Sequence, residues 1–236
     1  MINEFNLLAS TSRGCETYAR SELRFLFEKI GDTSPVIERT GISGLIAVKT
    51  NMDAIEAIRG RQSAGAMTSD EIPRAVIEQL LAAAVQAPNH YKVRPWRFVV
   101  VTGKGRNKLG DVMAEGLRHR FPGLDNAALN RERAKPLRAP VIIAVGVDAP
   151  TESKVLDVEN ICAAAAACEN LLLAAFALGL GAKWRTGDAA RDPEVKSFLG
   201  FGPDRPVIAF LYLGYPEVWA ALHERPGFEE RTTWIE

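Results

Sequence analysis

The sequence predicts an α+β fold, a sheet flanked by helices with a small strand-helix-strand-strand unit ahead of it. Apolar runs at 98–102, 141–147 and 207–214 are rich in Val, Ile, Leu and Phe and read as strands. Between them, apolar residues recur at the spacing of helices. Residues 161–180 are mostly Ala and Leu and read as a buried helix.

In chain order, residues 5–10 read as the first strand. Ala19, Leu23, Leu26, Phe27 and Ile30 then recur at helical spacing, with Gly31 as a C-terminal cap. Residues 36–39 and 45–49 read as two short strands across a turn between Gly41 and Gly44. Asn51-Met52-Asp53 is a helix start signal, so a unit of residues 1–51 is expected to give way to a second of residues 52–236. Val76, Ile77, Leu80, Leu81 and Ala84 mark a helix opened by Pro73 and closed by Pro88. The strand at 98–102 leaves past Gly103 and Gly105 into a helix from about residue 106, which turns Leu109, Val112, Met113 and Leu117 to the core. Residues 121–140 are polar, carry Arg131, Arg133, Lys135 and Arg138, and show only a weak helical period, which suits a mobile flap. Strand 141–147, the Ala-rich helix, a short strand at 182–185, a helix at 193–199 and strand 207–214 complete the order. The end, HERPGFEERTTWIE, is a polar tail that is ordered only if something holds it.

At 236 residues and 47% hydrophobic, the chain can bury one generous core. Its 29 Lys and Arg balance 29 Asp and Glu, which removes the electrostatic case for nucleic acid or an anionic membrane as the main partner. A small neutral or anionic ligand fits better. Cys15, Cys162 and Cys168 lack the C-x-x-C spacing of a metal or redox pair, so buried thiols in a reducing compartment are expected. MINEFNLLAS holds Glu4 and no apolar signal core, which points to the cytoplasm. The 161–180 run has Glu169 and Asn170 at its middle and reads as a core helix rather than a membrane span. Apolar on nearly all sides, it must be covered by its own domain or by a second subunit.

Three stretches hold the candidate chemistry. Arg61 and Ser63, one residue apart in a non-helical link, can reach one anion, and Arg185 offers a second guanidinium from a strand end. Standing alone, Arg61 would read as a solvated charge after a helix; the combination with Arg185 argues for an anion site. The loop Pro88-Asn89-His90 follows a proline-terminated helix and offers polar side chains to a ligand. No partner of His90 has metal-ligand spacing, so no metal site is expected. Trp96 after Pro95 reads as core packing, whereas Trp184 beside Arg185 is open to packing or to stacking on a ligand. Gly103-Lys104-Gly105 lacks the third glycine of a dinucleotide fingerprint, which disfavours a Rossmann-type bound NAD.

The ordered set MDAIEAIRGRQS, LLAAAVQAPNHYKVRPWRFVVVTG, LRAPVIIAV, the Ala-rich helix ending in GLGAKWRTG, and IAFLYLGYP resembles the nitroreductase family over residues 52–236. The resemblance implies a nitroreductase-like sheet flanked by helices and an FMN cofactor with NAD(P)H as reductant. It implies that FMN is bound by Arg61, Gln62 and Ser63, by Gln86 and His90, and by Trp184, Arg185 and Thr186. A homodimer follows from the same likeness, with FMN at the interface, the Ala-rich helix inside the contact and the C-terminal tail over the partner. So does ping-pong hydride transfer to a nitroaromatic, a quinone or another electron-poor acceptor. No side chain is expected to be catalytic, because flavin N5 carries the hydride and the protein supplies donors near N1 and the C2 carbonyl.

This chain departs from the family pattern at several positions. Relatives often carry two arginines before the serine, where this chain has Arg61-Gln62. They often continue S-x-R-x-F, where it has Ser63-Ala64-Gly65-Ala66-Met67, and they often place Gln before Pro-Trp, where it has Arg94. These changes bear on how tightly FMN is retained. Relatives that dehalogenate or dehydrogenate supply the alternative chemistry, with residues 121–140 shaping the acceptor pocket. Residues 1–50, through FNLLASTSRGCETYARSELRFLFEKIGD and ERTGISGLIAVKT, resemble the opening segment of THUMP-containing RNA-modification proteins. An RNA-associated role acting through residues 1–51 is therefore a rival reading. Six Lys and Arg against six Asp and Glu in that stretch give no basic excess for RNA, so a docking or dimer-extending module, or an upstream fusion that packs on the reductase without contributing chemistry, is expected instead.

Overall fold

Two antiparallel sheets organise the chain, described by a computed structural model over residues 7–10, 15–29, 36–39, 45–49, 54–219 and 221–236. The first sheet holds β1 (Leu7–Ser10), β2 (Val36–Arg39) and β3 (Leu45–Lys49) in the order β1-β3-β2, with α1 (Glu16–Lys29) between β1 and β2 in sequence. The expected cap at Gly31, the turn between Gly41 and Gly44, and the helix start at 51–53 lie outside the described residues.

The second sheet has the order β4-β5-β7-β6, from β4 (Trp96–Thr102), β5 (Val141–Val147), β6 (Gly181–Arg185) and β7 (Val207–Gly214). Both faces are covered. β5 is buried at all seven positions, and its side chains alternate between two cores: Ile143 and Val145 on one face, Ile142 and Ala144 on the other. The first core is closed by α3 (Arg74–Ala84) and α6 (Asp157–Ala177), the second by α4 (Gly103–Arg120) and α7 (Pro193–Phe198). This is the α+β arrangement of sheet and flanking helices. Trp96 is core, as its sequence setting suggests.

Several boundaries move for local reasons. α3 ends at Ala84, short of Pro88, because proline disfavours helical geometry in the residue before it and the chain turns out early. α4 starts at Gly103, whose φ of +47° turns the strand directly into the helix. Residues 121–140 are not a loose flap. They form α5 (Asn126–Arg133) and a 3-10 turn at Lys135–Arg138, and Asp125 caps α5 by accepting the Ala128 amide at 2.7 Å. Gly110 lets α5 lie against α4, since a Cβ there would stand 2.2 Å from the Arg133 carbonyl oxygen. Arg133 then pairs with Asp111 at 2.8 Å and Leu129 is buried. The period was weak because only one narrow edge of α5 faces the core.

Among the described residues, α6 alone is long and apolar enough to cross a membrane, but its inner stripe packs on β5, β6, β7 and α3. Buried Asn160 donates to the Asp148 carbonyl at 3.3 Å. It is a core helix. Its outer stripe stays open: Val158, Ile161 and Cys162 are exposed, and Ala165, Ala166, Leu173 and Phe176 are only half-buried. Of the three thiols expected to be buried, only Cys168 is; Cys15 and Cys162 face outward.

Candidate functional site

The Arg61-Gln62-Ser63 stretch is positioned by close approaches that only small residues allow. α2 (Ala54–Gly60) ends against α6 at Gly60, where a Cβ would stand 2.7 Å from the Phe176 ring. Arg61 then reaches inward, its Nε 3.2 Å from Glu169 Oε1 on α6. That nitrogen is buried and has no aligned hydrogen-bond acceptor. The chain next runs beside β6: Ser63 bridges Ala182, and the Ala64 amide donates to the Ala182 carbonyl at 2.9 Å. Met67 bridges Pro216 in turn. Gly181 and Gly214, paired across β6 and β7, make room, since Cβ atoms there would meet Ala64 Cβ at 2.7 Å and Met67 Cβ at 2.9 Å. Gly181 is thus a tight packing point.

The C-terminal tail brings a residue that sequence reasoning missed. Arg225 Nη2 donates to the Arg61 carbonyl at 2.8 Å, which sets a second guanidinium at the Arg61 backbone. Its only sequence signal is an Arg-Pro step inside the polar tail.

The Pro88-Asn89-His90 loop is held by its own polar groups. Asn89 Oδ1 accepts the Arg94 amide at 2.9 Å and its Nδ2 donates to the Ala87 carbonyl at 3.3 Å. Asn89 is therefore spent on the loop. The backbone it fixes is strained, with Tyr91, Lys92 and Arg94 at φ of 48°, 55° and 49°, a region that costs non-glycine residues on the order of 1–3 kcal/mol each. His90 Nδ1 lies 2.9 Å from Glu159 Oε1 at the start of α6, while Glu159 Oε2 accepts the Leu156 amide at 2.8 Å. That amide first, and His90 second, hold the Glu159 carboxyl below its ordinary value. Gln86 is exposed just past α3, its amide 3.4 Å from the Ala82 carbonyl.

At the end of β6, Trp184 and Arg185 part company. Half-buried Trp184 packs against the α6-side core, and its indole N–H donates to the Ile208 carbonyl at 3.0 Å. Arg185 leaves the other face, its guanidinium 5.7 Å from the centre of the Tyr212 ring. Thr186 follows at the exposed turn. Arg61, Gln62 and Ser63 are therefore gathered beside β6 with Arg225, but the Arg185 guanidinium is not with them. His90 stands elsewhere again: the α6 partners of Arg61 and His90 are ten residues apart, about 15 Å along the helix axis.

The Nitroreductase family profile matches residues 58–215. The chain belongs to this family. Membership makes it an oxidoreductase. Among curated relatives, YdjA of Escherichia coli strain K12, named as an NAD(P)H nitroreductase, is 32% identical over 170 residues, covering 72% of this chain and 92% of YdjA. YfhC of Bacillus subtilis, named likewise, is 27% identical over 179 residues and covers 75% of this chain and 92% of its own. In the solved structures, a nitroreductase-like protein from Bacillus cereus superposes with a TM-score of 0.68 at 24% identity, covering 80% of this chain and all of that one. A nitroreductase from Desulfovibrio desulfuricans, solved in complex with FMN, superposes with a TM-score of 0.62 at 25% identity, over 79% of this chain and 99% of that one. All four matches leave about a fifth or more of this nitroreductase-family chain uncovered. Among its described residues, no group of three or more His, Cys, Asp and Glu is arranged to hold a metal ion.

Proposed function

We propose that this nitroreductase-family member is an FMN-dependent NAD(P)H oxidoreductase that reduces electron-poor acceptors such as nitroaromatics and quinones, working as a homodimer with FMN between its two copies. One observation carries the reading: the tail delivers Arg225 to the Arg61 backbone, and the buried Arg61 Nε, 3.2 Å from Glu169, lacks an aligned acceptor. Two guanidiniums, with the exposed Ser63 two residues on, are a donor set that suits a phosphate. FMN fits this set. When bound, it supplies the hydride carrier between NAD(P)H and the acceptor.

The chain's own residues divide the remaining work. Arg61, Ser63 and Arg225 hold the phosphate, with Gln62 beside them. The Trp184–Thr186 backbone lines the ring's bed, with Trp184 fixing that strand against the core. Arg185's side chain is given no phosphate role. His90 and Gln86 approach the ring from the second copy.

The α6 geometry supports that last step. A two-fold axis crossing α6 near residue 164 would set the partner's Glu159 level with this copy's Glu169, because the two lie equally far from that point. The partner's His90 loop would then face the Arg61 cluster. At the crossing, the outward residues Cys162, Ala165 and Ala166 are small enough for close helix approach, and a two-fold contact uses the same patch twice. The free thiols Cys15 and Cys162 suit the reducing cytoplasm.

The experiment is a visible absorption spectrum of the purified protein, followed by anaerobic NADPH. Oxidised-flavin bands that bleach support the reading. A colourless protein that also refuses added FMN contradicts it.

A further inference from the structure

The loop that carries His90 has a backbone found nowhere else among the described residues. Tyr91, Lys92 and Arg94 are their only non-glycine residues at positive φ, at 48°, 55° and 49°. That region is crowded for any side chain and most costly for a large one. The conformation is imposed from two directions. Asn89 Oδ1 accepts the Arg94 amide at 2.9 Å, and His90 Nδ1 lies 2.9 Å from Glu159 Oε1 on α6. Strain held in this way fixes where the three side chains leave the chain.

What they present is charge without a partner. Lys92 and Arg94 are exposed, and neither side chain forms a hydrogen bond or an ion pair among the described residues. α6 packs against this turn, but its carboxylates Asp157, Glu159 and Glu169 are engaged by Arg205, His90 and Arg61. Asp148, whose amide meets the Pro95 carbonyl, is engaged by Arg97. With His90 uncharged, Glu159 offsets one of the two cations, and the loop is still positive. Between His90 and these cations, Tyr91 is 58% exposed and meets the His90 ring at 65° rather than in a stack, which leaves it open to a flat ligand. Two cations beside an open aromatic ring suit an adenosine that carries a phosphate.

We propose that Lys92 and Arg94 bind the 2′-phosphate of NADPH, with Tyr91 against the adenine, and thereby select NADPH over NADH. The proposal rests on the flavin reading, which sets the His90 loop of one copy at the site of the other and gives the FMN phosphate to Arg61 and Arg225. NADH carries a hydroxyl in place of that phosphate and gains nothing from either cation. The preference is therefore a property of the loop and not of the flavin.

The test is calorimetry of the purified protein, supplied with FMN, against adenosine 2′,5′-bisphosphate and adenosine 5′-monophosphate, which differ only in the 2′-phosphate. The wild type should bind the bisphosphate about tenfold or more tightly, as expected for charge-assisted hydrogen bonds. That ratio should fall about threefold or more in each of Lys92→Asn and Arg94→Asn, and approach one in the double variant. Asparagine tolerates the left-handed region, so the charge is removed without added strain. Tyr91→Asn should weaken both probes alike, because both carry the adenine. In turnover, the ratio of kcat/KM for NADPH over NADH should fall with the calorimetric ratio, at unchanged FMN content. Equal affinity for the two probes in wild type, or a ratio that the variants leave unchanged, overturns the proposal. Loss of FMN from the double variant also overturns it, by giving the cations to the cofactor's phosphate, and leaves the flavin reading standing. The calorimetric ratio decides the proposal whether or not flavin is bound, whereas a colourless wild type that refuses FMN sinks the flavin reading.

Discussion

At the scale of residues, the guanidinium that meets Arg61 decides the site. Arg225 occupies that place, so Arg61→Ala and Arg225→Ala should each weaken FMN binding by roughly 1.5–3 kcal/mol, the worth of a hydrogen bond to a charged group. Titrating apo-protein with FMN and following the quenching of flavin fluorescence measures it; unchanged affinity in Arg225→Ala would remove the tail from the site. The non-helical link at residues 61–63 was legible, because the helix pattern stops at Gly60. Arg225 was not, because 164 residues separate it from Arg61 and no period links them. The direction of the Arg185 side chain was not legible. Once Trp184 faces the core, strand alternation sends Arg185 to the other face, and sequence left the facing of Trp184 open. Cys168 shows a smaller gap of the same kind: burial pushes its thiol up to about 12, so it should resist alkylation at pH 8 while Cys15 reacts.

At the scale of elements, strands and long helices could be read, and the polar stretch at 121–140 could not. Its helix presents one buried leucine and is held by a cap, an ion pair and the absence of a side chain at Gly110, none of which leaves a hydrophobic period. Gly110→Val should therefore lower stability by about 1–3 kcal/mol, read as a lower urea midpoint, by forcing α5 off α4. The start of α6 gives a pH test. Glu159 has its folded value depressed by the Leu156 amide and His90, so its contribution is present above the unfolded value of 4.5 and is lost as pH falls through the folded one. Thermal melts of wild type and Glu159→Gln should differ at neutral pH and converge on acidification below pH 4.5. A difference that persists unchanged in acid would mean that the carboxylate does not hold this helix end to the His90 loop.

At the scale of the molecule, α6 explains why an apolar helix is covered on one side only by its own chain. The sheet takes its inner stripe, and the outer stripe of Val158, Ile161 and Cys162 is the face on which the proposed second copy would sit. The tail adds to this, with Phe228, Trp234 and Ile235 exposed on a segment that already reaches the Arg61 cluster. The most direct measurement is native mass spectrometry of the purified protein. One species with the mass of two chains and two FMN molecules is expected. A monomer that retains FMN, or a dimer that will not take it up, would contradict the shared site.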